Sequence, residues 1–131
     1  MNRSIATLAA TSALLVGITA HASEDASTTF PMGRYQSGPN IMIFHPDGTF
    51  LGTTPENEDW VKGTYTHTGN QITVVDTWEG EAIRADGGDC VGKPGRYTWV
   101  RQGDVLKTTV VEDDCAGRKR GTDGVSWTYL R

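Results

Sequence analysis

The chain has little of what most catalytic and nucleic-acid-binding proteins need. It carries only three histidines and two cysteines in 131 residues. Outside the first 22 residues only His45 and His67 remain, which is too few to build a zinc site of the usual four ligands. No Gly-x-Ser-x-Gly elbow, phosphate-binding loop or dinucleotide fingerprint occurs, so no metal, nucleotide or cofactor is expected. Positive charge is also scarce: 12 Lys and Arg stand against 16 Asp and Glu, a net charge of −4. The one basic cluster, Arg118-Lys119-Arg120, follows directly on acidic Glu112-Asp113-Asp114. An acidic domain without a basic stripe lacks the electrostatic footprint of a nucleic-acid binder. No apolar run is long enough to span a bilayer, which takes about 20 residues. No eleven-residue window has the i, i+3, i+4, i+7 spacing of an amphipathic helix.

The longest uncharged run lies at the start. Met1-Asn2-Arg3 supplies one positive charge, and Ile5–Ala20 then runs uncharged and rich in Ala, Leu, Ile and Val. Ala20-His21-Ala22 presents small residues at the two positions a signal peptidase reads. Residues 1–22 therefore read as a secretory signal peptide cleaved after Ala22, and the product as periplasmic or secreted. Residues 23–32 are a polar leader, ordered only near its end, and 33–131 a single domain. Loss of Arg3 moves the net charge to −5.

Export gives the two cysteines a use. Cys90 and Cys115 both fall in the exported part, where thiols oxidise, and two cysteines allow one internal pairing. A bridge between them closes a loop of about 25 residues, worth about 3–4 kcal/mol in the chain-entropy model.

What the chain has in quantity is glycine and β-formers. Most of its 16 glycines punctuate short runs of Thr, Val, Ile, Tyr and Trp. The pattern predicts strands near 33–37, 40–46, 49–54, 60–67, 71–78, 82–85, 95–102, 105–112 and 125–131. Pro46-Asp47-Gly48, Thr68-Gly69-Asn70 and Gln102-Gly103-Asp104 are tight turns that force antiparallel neighbours. A Gly-x-Tyr start recurs at Gly33-Arg34-Tyr35, Gly63-Thr64-Tyr65 and Gly95-Arg96-Tyr97, a repeated hairpin unit inside one domain. Such hairpins form a sandwich or close into a barrel, and closure removes aggregation-prone edges.

Alternation favours the barrel. Ile72, Val74, Asp76 and Trp78 share one face of their strand. Tyr97, Trp99 and Arg101 share another, and Val125, Trp127, Tyr129 and Arg131 a third. These faces mix aromatics with charge, which suits a barrel interior holding a ligand better than a dry sandwich core.

In order along the chain, Gly33-x-Tyr35, Phe44-x-x-Asp47-Gly48-Thr49-Phe50, Gly63-Thr64-Tyr65, Gly95-x-Tyr97-x-Trp99, the Glu112–Arg118 segment and the closing Trp127…Arg131 resemble small bacterial lipocalin-like, calycin-type domains. The resemblance covers about 33–131. It implies an all-β, antiparallel up-and-down barrel of about eight strands with an apolar cavity. It further implies an aromatic near the first strand packed on an Arg near the last, the places of Tyr35 and Arg131.

These readings make Tyr35, Phe44, Tyr65, Trp78, Tyr97, Trp99, Trp127 and Arg131 the candidate ligand-binding residues. The expected protein is a monomer that encloses a small hydrophobic or aromatic molecule, without catalytic residues. Two other readings stay open: a protein-interaction module, such as an inhibitor of an envelope hydrolase, and a barrel enzyme using His45 or His67 with a carboxylate. Among the loop groups, Asp114 and Arg118 flank Cys115 as a candidate ion pair, and the acidic groups beside the cysteines as a remoter calcium site.

Overall fold

The computed structural model describes residues 29–85 and 89–131. The expected signal peptide, 1–22, and most of the expected leader lie outside these described residues. Eight strands follow one another in the order β1 (Gly33–Ser37), β2 (Asn40–Phe44), β3 (Thr49–Thr53), β4 (Val61–Thr68), β5 (Gln71–Glu79), β6 (Pro94–Gln102), β7 (Val105–Asp113) and β8 (Ser126–Tyr129). Each pairs antiparallel with the next, and β8 returns to β1 through Tyr35↔Tyr129 and Gln36↔Thr128. The result is a closed up-and-down barrel with no free edge, the architecture the lipocalin-like resemblance implies.

Two helices interrupt the strand pattern: α1 (Glu81–Ala85) and α2 (Ala116–Thr122). The strand expected at 82–85 is thus a single helical turn. Its sequence, Glu-Ala-Ile-Arg-Ala, consists largely of strong helix formers, with an acid in the first turn and a base in the last. α2 lacks an apolar stripe, since Ala-Gly-Arg-Lys-Arg-Gly-Thr has none to offer, and tertiary anchors hold it instead. Thr108 Oγ1 donates to the Thr122 carbonyl at 2.7 Å, and the Val110 amide donates to Asp123 Oδ1 at 2.9 Å. Cys115, its N-cap, is bonded to Cys90 with a Cα–Cα separation of 5.4 Å.

The barrel has two unlike ends. Tight turns join β2 to β3, β4 to β5 and β6 to β7 at one end. Both helices, the disulfide and the long 54–60 loop sit at the other. Phe30, at the end of the leader, closes the short-turn end: it is 1% exposed and packs edge-on against Phe44 and Trp99, with centroid distances of 4.8 and 5.7 Å. An aromatic with so much area buries favourably wherever it finds edge-to-face partners.

The Gly-x-Tyr repeat has a packing cause. At each site the glycine gives passage to a side chain and the tyrosine reaches inward to a polar anchor. A Cβ on Gly63 would collide with the Phe50 ring and the Val75 carbonyl, and one on Gly95 would stand 2.5 Å from Asp113 Oδ2. The Tyr35, Tyr65 and Tyr97 hydroxyls donate to the Pro31 carbonyl, the His45 carbonyl and the Asp113 carboxylate. Burial pushes all three phenols above their ordinary pKa, with Asp113 adding to the effect at Tyr97.

Candidate functional site

Inside the barrel is a cavity of about 610 Å³, within the range of small-molecule sites. Phe30 forms its floor, and Met42, Phe44, Phe50, Ile72, Val74, Leu106 and Trp127 form its walls. At the helical end its lining turns polar, with Asn40, Asp76, Thr108 and Arg118, and Ala82 and Ile83 of α1 and Gly121 and Thr122 of α2 make the rim.

Two β-bulges determine which charges enter. On β5, Lys62 pairs with Trp78 but Gly63 pairs with Asp76, so Thr77 is an extra residue. Up to Asp76 the alternation runs as the sequence predicts. Beyond it the faces exchange: Glu79 turns in and is 2% exposed, while Trp78 turns out and is 43% exposed. On β7, Arg96 pairs with Glu112 and Tyr97 with Val110, so Val111 is the extra residue. Asp113 is carried inside, with its side chain fully buried, and Glu112 stays outside in an ion pair with Arg96. Bulges re-aim side chains in this way because one extra residue shifts a two-residue period.

The inward charges meet at Arg118. Its Nε and Nη2 grip Asp113 at 2.7 and 2.8 Å, a two-pronged contact. Nη2 also donates to the Lys93 carbonyl at 2.7 Å, and Nη1 donates to Asp76 at 3.1 Å. The ion pair that fixes this segment is therefore Arg118 with Asp113 and Asp76, not with Asp114. Asp114 lies exposed, because the bulge assigns the inward place to Asp113.

The electrostatics follow from burial and partners. Burial works against both Asp113 and Arg118. The Arg118 and Tyr97 hydrogen bonds reverse this at Asp113 and hold its carboxyl below the usual range. The two aspartates hold the guanidinium above its ordinary value. Asp76 goes the other way: burial pushes its carboxyl up to about 6, Arg118 opposes the rise, and Glu79 adds to it. Glu79 Oε1 accepts the Cys90 amide at 2.7 Å, while Oε2 has no partner among the described residues.

The candidate residues divide into three groups. Phe44, Tyr97 and Trp127 line the cavity. Tyr35, Tyr65 and Trp99 are buried in the surrounding core. Trp78 and Arg131 lie outside: Trp78 stacks under Lys62 at 5.4 Å, and Arg131 pairs with Asp104 at 3.2 Å with its side chain 81% exposed. The aromatic partner of Tyr35 at the β1–β8 seam is Tyr129, at 5.5 Å, and the cation beside that seam is Arg101, 5.1 Å from the Tyr129 ring. Neither His45 nor His67 lines the cavity. Asp76 had a signal in the sequence, as a carboxylate on the face of Ile72 and Val74. Glu79, Asp113 and Arg118 had none in the alternation, because two bulges and a disulfide-held turn place them.

No family model, curated protein or solved structure matches the chain. The site therefore has to be read from its own chemistry. Its walls are apolar, its floor is a single aromatic, and its polar groups converge at one end. Asp76, Glu79 and Cys90 stand close enough to suggest a metal, with ligand atoms within 4.8 Å of one another. The Cys90 sulfur is committed to Cys115, which leaves two carboxylates where calcium takes six to eight oxygens. Of the acidic loop groups beside the cysteines, Asp86 lies outside the described residues and Glu112 faces outward on β7.

Proposed function

We propose that the protein is an exported, lipocalin-like binding protein that encloses a small apolar or aromatic molecule inside its barrel. The carrying observation is the 610 Å³ cavity, walled by aliphatic and aromatic side chains and closed at one end by Phe30. A barrel of eight strands is just wide enough either to fill itself with side chains or to hold one small ligand. A space of this size corresponds to the second case. Export is supported by the signal-like first 22 residues and by the Cys90–Cys115 bond. One chain completes the cavity wall, in keeping with a monomer.

The test is native mass spectrometry and tryptophan quenching of the mature protein with a panel of hydrophobic and aromatic compounds. Trp127 in the wall and Trp99 beside it make the quenching direct. Val74→Phe, which fills the cavity from its wall, is expected to abolish quenching while leaving the circular dichroism spectrum unchanged. Equal quenching of Val74→Phe and wild type would place the binding outside the barrel and overturn the reading.

A further inference from the structure

The polar end of the cavity is unbalanced. Three buried carboxylates, those of Asp76, Glu79 and Asp113, face one guanidinium. Arg118 directs four of its five N–H groups at Asp113, the Lys93 carbonyl and Asp76, so little of its donor capacity remains for a ligand. Arg120, the other cation at the rim, is exposed. Asp76 touches the cavity directly. Behind it, within 4.8 Å, stands Glu79, whose Oε2 is buried and lacks a donor among the described residues. Glu79 does not line the cavity itself, so its charge acts on the cavity through Asp76, which does.

We infer that the ligand of this cavity carries a protonated amine, seated against Asp76 at the helical end, with its apolar or aromatic body pointing down toward Phe30. This rests on the enclosed-ligand reading and adds the headgroup to it. A primary ammonium brings three N–H donors and a positive charge, enough to approach Asp76 and offset the negative excess. A carboxylate headgroup seated there would meet Asp76, backed by Glu79, with Arg118 already committed and Arg120 out at the rim. A neutral alcohol can donate one hydrogen bond but leaves the charge excess in place.

Protons compete for the same position. Asp76 is faced by Glu79 from its own strand, by Arg118 from α2 with Asp113 of β7 behind it, and by Tyr97 of β6 bound to Asp113. Once Asp76 takes a proton it can donate to Glu79, and the demand for a cation falls. The amine is therefore held at neutral pH and released in mild acid, where the amine itself remains charged.

Two matched series test this by tryptophan quenching on the mature protein: 2-(1-naphthyl)ethylamine, 2-(1-naphthyl)ethanol and 1-naphthylacetate, and decylamine, decanol and decanoate. At pH 7.5 each amine is expected to bind at least tenfold tighter than the carboxylate of its series, and several-fold weaker at pH 5 than at pH 7.5. In Asp76→Asn the preference for amine over alcohol and carboxylate is expected to fall below threefold. If the alcohols bind and the carboxylates equal or exceed the amines, the headgroup inference is overturned and the enclosed-ligand reading stands. If no compound of either series binds, both are overturned.

Discussion

Consider Asp76→Asn as a perturbation of stability against pH. The Asp76 carboxyl rises from an ordinary 3.8 to about 6 in the folded protein. Between those two values the folded state holds a proton that the unfolded state has released. By linkage, its contribution to stability is fully present below about pH 3.8 and is lost as pH rises through 6. One pKa unit corresponds to about 1.4 kcal/mol, so wild type loses about 2–3 kcal/mol through this group between pH 4 and pH 7. In a domain of this size about 1 kcal/mol moves the melting temperature by about 4–8 °C, giving a relative shift of roughly 10–20 °C. Asp113 and Asp47 have lowered pKa values and act in the opposite sense, with stability lost as pH falls below their ordinary 3.8. Both remain in the variant, so the difference between the two melting profiles isolates Asp76. Loss of the contact to Arg118 displaces the variant's profile by a constant and leaves this slope intact. Thermal melts of both proteins from pH 4 to 7 decide the matter. Parallel profiles would mean that Asp76 ionises as an ordinary carboxylate, and the account of the buried cluster would be wrong.

Two further outcomes follow from the same cluster. Arg118→Met leaves Asp113 and Asp76 buried without their cation and is expected to cost about 3–5 kcal/mol in urea unfolding; a loss under about 1 kcal/mol would show the pair to be solvated. Replacing both Cys90 and Cys115 with Ala is expected to cost about 3–4 kcal/mol, read as a lower denaturation midpoint, and an unchanged midpoint would refute the role of the loop they close.

The fold was legible in the chain because antiparallel meanders write themselves locally. Asp47-Gly48, Gly69-Asn70 and Gly103-Asp104 mark the turns, and alternation marks the faces between them. Eight of the nine expected strands are present, with ends within about two residues at most places. The site was less legible for a specific reason. A bulge is invisible to a two-residue period, since the extra residue is ordinary in sequence and identifiable only by its partner strand. Continuing the period past Thr77 predicts Trp78 inward, whereas the bulge turns Trp78 out and Glu79 in. The same period carried past Val110 skips Asp113, which the bulge at Val111 turns inward. Alternation and the resemblance both point to Arg131, whereas the chain places Arg101 near that seam. α2 carries no periodic apolar pattern because a disulfide and an ion pair, both non-local, hold it in place.

Phe30 has a consequence for the order of assembly. Its ring rests on side chains from β2, β4 and β6, so its seat exists only when more than half of the barrel has formed. During synthesis the segment bearing Phe30 emerges before every strand that will receive it. The floor of the cavity is therefore the first part of the domain to be delivered and among the last to be fitted. Until it is seated, the short-turn end of the barrel lacks its aromatic cover, so the interior stays wet there longest.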